Sequence, residues 1–162
     1  MRLSSALLMA TLALALAAPA AARRSAPPAQ SLKHLKDLKP GDYMDNKPWD
    51  DPAFKAALRA VLAPKAPLSR LYSGGPVIDK LKPFDQAVLA WGCRAHDCST
   101  VNAQVFIEPD ADRLFVCWHD DERDAAHDWW LAKGRRPLPL PPRTCNRDYT
   151  AIAAYRAHRE GG

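Results

Sequence analysis

The chain has 162 residues, 48% of them hydrophobic, with 15 prolines, four cysteines and a formal net charge of +5 at neutral pH. A chain of this length makes one domain with its own core. The positive balance alone would point to nucleic acid or an anionic envelope polymer, but the basic residues are not interleaved with aromatics, so no nucleic-acid partner is expected.

Met1-Arg2, an apolar run from Ala6 to Ala18 and the small residues Ala18-Pro19-Ala20-Ala21-Ala22 together predict a secretory signal peptide over residues 1–22, cut after Ala20 or Ala22. The run is too short for a membrane helix, and the first cysteine is Cys93, so neither a membrane anchor nor a lipid anchor is expected. Cleavage after Ala22 leaves 140 residues with a formal charge of +4. RRSAPPAQ, Arg23 to Gln30, opens a flexible mature N-terminus placed at residues 23–48, and the folded domain is placed at 49–162.

From Asp50 the pattern becomes helical: Asp50 or Asp51 caps, Pro52 suits the first turn, and Phe54, Ala57, Leu58, Val61 and Leu62 recur at helical spacing. YSGGP, Tyr72 to Pro76, marks a turn. AVLAW (87–91), NAQVFIE (102–108) and RLFVCW (113–118) read as strands, with PDAD (109–112) as a hairpin turn, which makes an antiparallel meander. DWWLA (128–132) is expected to add a strand. The prolines of RPLPLPPR (136–143) confine that stretch to an edge or the surface, a polyproline recognition motif being the alternative. NRDYTAIAAYRAH (146–158) reads as a short helix with Tyr149, Ile152 and Ala153 on one side. The fold class is α+β, an antiparallel sheet flanked by helices.

Cys93, Cys98, Cys117 and Cys145 form an even set, which in an oxidising compartment reads as disulfides. Three pairings are open; Cys93–Cys98 with Cys117–Cys145 is favoured because the short spacing makes the first encounter easy. The first bond encloses CRAHDC, and its expected contribution is local stiffness around His96.

Several chemistries compete for that loop. Cys93, His96, Cys98, Cys117 and His119 are zinc-ligand types, but their spacing does not match paired ligand motifs. A thiol oxidoreductase wants Cys-x-x-Cys. Ser99 or Thr100 beside His96 and Asp97 supplies the residue types of a hydrolase without a G-x-S-x-G elbow. His34, His127 and His158 read as surface histidines, and Trp91, Trp118, Trp129 and Trp130 as packing. No metal or other cofactor is expected, and the chain does not read as an enzyme.

Trp91 to Cys98, with Cys93, His96, Asp97 and Cys98 at matching positions, resembles the Cys-Lys-Pro-His-Asp-Cys loop of the inhibitors of vertebrate lysozyme, the Ivy family of bacterial envelope proteins. A helix before the sheet, Gly74-Gly75-Pro76 upstream and Asn102 entering the next strand fit as well. The resemblance covers roughly Trp49 to Trp118, and only the six-residue loop is specific. It implies an α/β/α sandwich, a periplasmic location, a c-type lysozyme as protein partner and an inhibitory loop of Cys93, Arg94, Ala95, His96, Asp97 and Cys98. The loop would enter the lysozyme cleft, where His96 would hydrogen-bond the catalytic carboxylates, while Asp97 orients the loop or pairs with Arg94. The plainer alternative has His96 packing within its own loop, in an exported binding or metal-handling module of the same fold. A homodimer stays open.

Two departures stand out. Arg94-Ala95 occupy the positions of the family's Lys-Pro, so the fixed φ of proline is missing and a looser loop with weaker inhibition is expected. A mature chain near +4 is not steered toward a basic lysozyme by its overall field, unless the acidic stretch Asp120 to Asp124 lies close to the loop.

Overall fold

A computed structural model describes residues 31–37, 49–62, 66–73, 76–79, 81–146 and 150–159. The expected signal sequence, Gly74, Gly75 and Tyr149 lie outside the described residues. The expected helix is α1, Pro52–Leu62, begun by the Asp51 carboxylate, which accepts the Phe54 backbone N–H at 2.8 Å. A short helix that the sequence reading passed over, α2 (Leu68–Tyr72), follows it.

Seven antiparallel strands form one sheet: β1 Pro76–Ile78, β2 Lys82–Phe84, β3 Ala87–Arg94, β4 Val101–Glu108, β5 Arg113–Asp120, β6 Asp128–Ala132 and β7 Leu138–Leu140. Strands β3 to β6 follow one another in space as they do in sequence, which is the expected meander. The outer neighbour of β3 comes in two pieces, β1 beside residues 92–94 and β2 beside residues 87–89. Strand β7 closes the opposite edge, where its proline, Pro139, is tolerated.

Alternation along the strands sends side chains to two faces. On one face Ala90, Ala103, Val105, Val116 and Trp118 pack with Trp49, Phe54, Leu58 and Leu71 beneath α1 and α2. On the other Leu89, Phe106, Phe115 and Trp130 pack with Tyr155 of α4, Ile152–His158. Helices on both sides of the sheet make the α/β/α sandwich of an α+β fold. Tyr155 stacks on Phe106, with ring centroids 4.6 Å apart and planes 9° from parallel.

Two local expectations change. The helix expected over 146–158 begins only at Ile152, and its buried residues are Ala154 and Tyr155, whereas Ala153 is exposed. The Tyr155 ring, anchored by the aromatic cluster beneath it, sets the rotation of the helix. Within the stretch read as a flexible lead-in, Lys33–Asp37 forms a 3₁₀ helix, and Leu32 and Leu35 are buried in the first core. His34 Nε2 lies 2.7 Å from Asp51 Oδ2, tying this turn to the start of α1.

Candidate functional site

The connection from β3 to β4 carries CRAHDC. Cys93 and Arg94 are still strand residues, so the turn itself is Ala95 to Thr100. A disulfide joins Cys93 to Cys98, with Cα atoms 4.8 Å apart, and a second joins Cys117 to Cys145, the pairing favoured by spacing. All four sulfurs are thereby consumed, and the zinc reading loses its thiolate ligands. Among the described residues no group of three His, Cys, Asp or Glu side chains is arranged to hold a metal ion.

Inside the turn the Asp97 N–H donates to the Arg94 carbonyl at 3.1 Å, and the Thr100 and Val101 N–H groups both donate to the Asp97 carbonyl at 3.2 Å. The Asn102 amide donates to the Cys98 carbonyl at 3.0 Å. His96 stands at the apex, exposed, with φ of +64°. Few residues other than glycine hold that left-handed conformation, although histidine tolerates it better than most. Such a backbone persists only where its surroundings over-determine it.

Charge supplies part of that determination. Arg94 donates to the Asp97 carboxylate within the loop and to Glu122 Oε1 at 2.8 Å outside it. Arg70 of α2 grips the buried Asp120 carboxylate through two nitrogens, at 2.7 and 3.0 Å, and reaches Glu122 Oε2 at 2.6 Å. Asp121 to Asp124 form a single helical turn, α3, at the foot of the loop. The Thr100 hydroxyl and then Arg94 hold the Asp97 carboxyl below its ordinary pKa. Arg94 and then Arg70 do the same for Glu122. Asp97 therefore faces back into the loop as a satisfied anion. The acidic stretch does lie beside the loop: the carboxylates of Asp97, Asp120 and Glu122 face the guanidinium groups of Arg70 and Arg94, while Asp121 approaches His119 and Asp124 approaches His127.

His119, on the opposite side of β5 from Asp120, approaches the loop from the other face. Its Nδ1 is 2.7 Å from Asp128 Oδ1 and its Nε2 is 2.9 Å from the Ser99 carbonyl. The carboxylate of Asp128, chiefly, and the Ser99 carbonyl raise the His119 pKa against the opposing effect of burial. His119 contacts the backbone of Ser99, which offers no nucleophile, and Thr100 is engaged with Asp97. The Asp97 carboxylate, the expected orienting acid of a hydrolase, is paired with Arg94 and Thr100. Beside this contact a cavity of about 590 Å³ opens between β1 and the loop, lined among others by Ile78, Trp91, Asn102, His119, Asp121 and Arg143.

Arg70 and Asp128 are not singled out by the sequence, and Glu122 is legible only as part of the acidic stretch. Arg70 sits in a helix too short to show periodicity, and Asp128 opens an otherwise apolar strand. His119 was visible only as a metal-ligand type; its alternation with Cys117 in β5 is the signal that puts it on the face of Asn102 and Asp128.

The fold and the loop define a class: a disulfide-braced α+β domain that displays one histidine from a fixed turn at the end of its sheet. The family model described as inhibitor of vertebrate lysozyme (Ivy) matches residues 53–149, and the chain belongs to that family. No curated protein and no solved structure matches significantly. The family is one of inhibitors, not of enzymes. Two disulfides fit an oxidising compartment outside the cytoplasm, and among the described residues no helix is long and apolar enough to cross a membrane.

Proposed function

We propose that the chain is an exported, periplasmic inhibitor of c-type lysozyme that inserts the Cys93–Cys98 loop into the catalytic cleft and places His96 against the catalytic carboxyl groups. The observation that carries this reading is the state of His96: exposed, held in a left-handed conformation, and braced by a disulfide and by Arg94. A retaining glycosidase such as lysozyme holds its two carboxyl groups about 5 to 5.5 Å apart. A doubly protonated imidazole offers two N–H donors, one for each, and its ring excludes the sugar. Because the loop is ordered before binding, little conformational freedom is lost on insertion.

Asp97 supports the same reading, since its carboxylate is turned to Arg94 and so does not meet the cleft acids as a free like charge. The carboxylates around the base of the loop also favour a basic partner locally, despite the positive net charge. In place of the family's proline, this chain stiffens its turn through the Arg94 bridge to Asp97 and Glu122. A calorimetric titration against a c-type lysozyme, repeated with an N-acetylglucosamine oligosaccharide filling the cleft, tests the mode of binding. Competition is expected; binding that is indifferent to the sugar would place the contact elsewhere and overturn the proposal.

A further inference from the structure

His119 is buried, and both of its ring nitrogens face acceptors: the Asp128 carboxylate at 2.7 Å and the Ser99 carbonyl at 2.9 Å. A neutral imidazole carries one N–H, so only the doubly protonated ring satisfies both partners. Asp128 is itself buried and also accepts the Cys145 backbone N–H at 2.6 Å, which fixes it beside the second disulfide. Ser99 follows Cys98, the residue that closes the loop. We infer that His119 is a positioning residue whose imidazolium form clamps the Ser99 carbonyl to the sheet and so holds the turn that presents His96.

The charged groups facing the ring are Asp128 from β6, Asp121 from α3, with Oδ1 3.4 Å from Nε2, and Arg143 from the segment after β7, which lines the same cavity. From β4 the uncharged Asn102 lies opposite in register, and Asp120 is turned to the other face toward Arg70. One carboxylate at each ring nitrogen, against a single guanidinium lining the same cavity, favours the charged ring. When the proton is lost, Asp128 retains the remaining N–H, because a buried carboxylate pays more for a lost donor than a peptide carbonyl near the surface. Nε2 then presents a lone pair to the Ser99 carbonyl oxygen. That contact is repulsive, so the Ser99 and Thr100 backbone shifts away and the apex loses one of its supports. The clamp is closed on the acidic side and opens as pH rises through the raised His119 value.

This inference rests on the inhibitory reading for its consequence, but the clamp has a readout of its own. Inhibition of a c-type lysozyme is measured between about pH 5.5 and 9 for the wild type and for His119→Gln, the ratio of the two cancelling the titration of the enzyme. The expected wild-type advantage is roughly tenfold at low pH, the equivalent of one charge-assisted hydrogen bond, and it disappears as His119 deprotonates. A ratio that stays constant across the range overturns the inference. In free protein, NMR should give the Ser99 carbonyl carbon and the His119 ring a common titration midpoint, and Asp128→Asn should move that midpoint to lower pH. A Ser99 signal that is flat while His119 titrates overturns it equally. Should the substituted proteins fail to fold, the wild-type titration decides alone. Should wild type fail to inhibit at every pH, the inhibitory reading falls, while the NMR titration still decides the clamp.

Discussion

His96 and Gly92 are separated by three residues and have opposite requirements. His96 contributes nothing to the core, and its side chain is free to act outward. Gly92 faces the core, where a Cβ would come 2.8 Å from the Trp49 ring. Gly92→Ala therefore forces the fully buried indole to shift and is expected to cost about 1–3 kcal/mol, read as a lowered midpoint in thermal or urea unfolding. An unchanged midpoint would mean that the Trp49 pocket relaxes freely. A second such position is Tyr155, whose hydroxyl donates to the buried carboxylate of Glu108. Tyr155→Phe keeps the stacking on Phe106 and removes that donor, so a loss of about 1–3 kcal/mol is expected, without effect on inhibition.

At the scale of elements, the two disulfides have different tasks. The chain-entropy relation gives roughly 2 kcal/mol for the six-residue Cys93–Cys98 loop and roughly 3.6 kcal/mol for the loop closed by Cys117–Cys145. Replacing the first pair by serines is expected to lower stability less than replacing the second. It should nevertheless weaken inhibition more, because it frees the apex directly, whereas the second bond reaches the loop only through Asp128 and His119. Inhibition and unfolding measured on both double variants check this; a loss of inhibition that merely tracks stability would contradict it. The elements legible in sequence were those with a long enough pattern. Helix α1 showed five apolar residues in phase, and β3 to β6 showed the β-rich runs of a meander. Strands β1 and β2 have three residues each, and two of these six are proline, so no alternation could develop. Helix α2, of five residues, is held by the Arg70 contacts and by Leu71 in the core, which are tertiary facts. The loop was legible because its cysteines bracket it. The supports that hold it converge from four other elements: Glu122 and His119 were legible only as part of an acidic stretch and as a ligand type, and Arg70 and Asp128 left no local trace.

For the molecule as a whole, opposite pKa shifts bound the pH range of stability. Asp51 illustrates the acid side: burial raises its pKa, yet the Phe54 N–H and His34 outweigh it and the net shift is downward. Asp97, Glu122 and Asp124 are lowered too. Carboxyl groups of this kind contribute stability above their ordinary pKa near 3.8 to 4.5, and the contribution disappears as pH falls through the lowered values. His119 has the reverse sign. Its contribution is complete below the ordinary histidine value of 6.5 and is lost as pH rises through the raised one. Maximal stability is therefore expected on the mildly acidic side of neutrality, between those limits, and the alkaline decline should shrink in His119→Gln, leaving the part that His34 contributes through its contact with Asp51. Thermal unfolding followed across pH checks both statements. The charge of the whole chain is a poor guide to its local field, since many basic residues fall toward the two ends of the sequence while Asp97 and the stretch Asp120 to Asp124 set the charge at the loop.

The most direct measurement is a titration of the purified mature protein into a c-type lysozyme turnover assay, with His96→Ala and His96→Asn alongside, asparagine being a residue that tolerates the left-handed backbone. The account predicts stoichiometric inhibition by the wild type and a loss of roughly a hundredfold or more in both variants, as expected for a buried hot-spot contact, with unfolding midpoints little changed. Wild type and variants that leave lysis equally untouched, or inhibit it equally well, would contradict it.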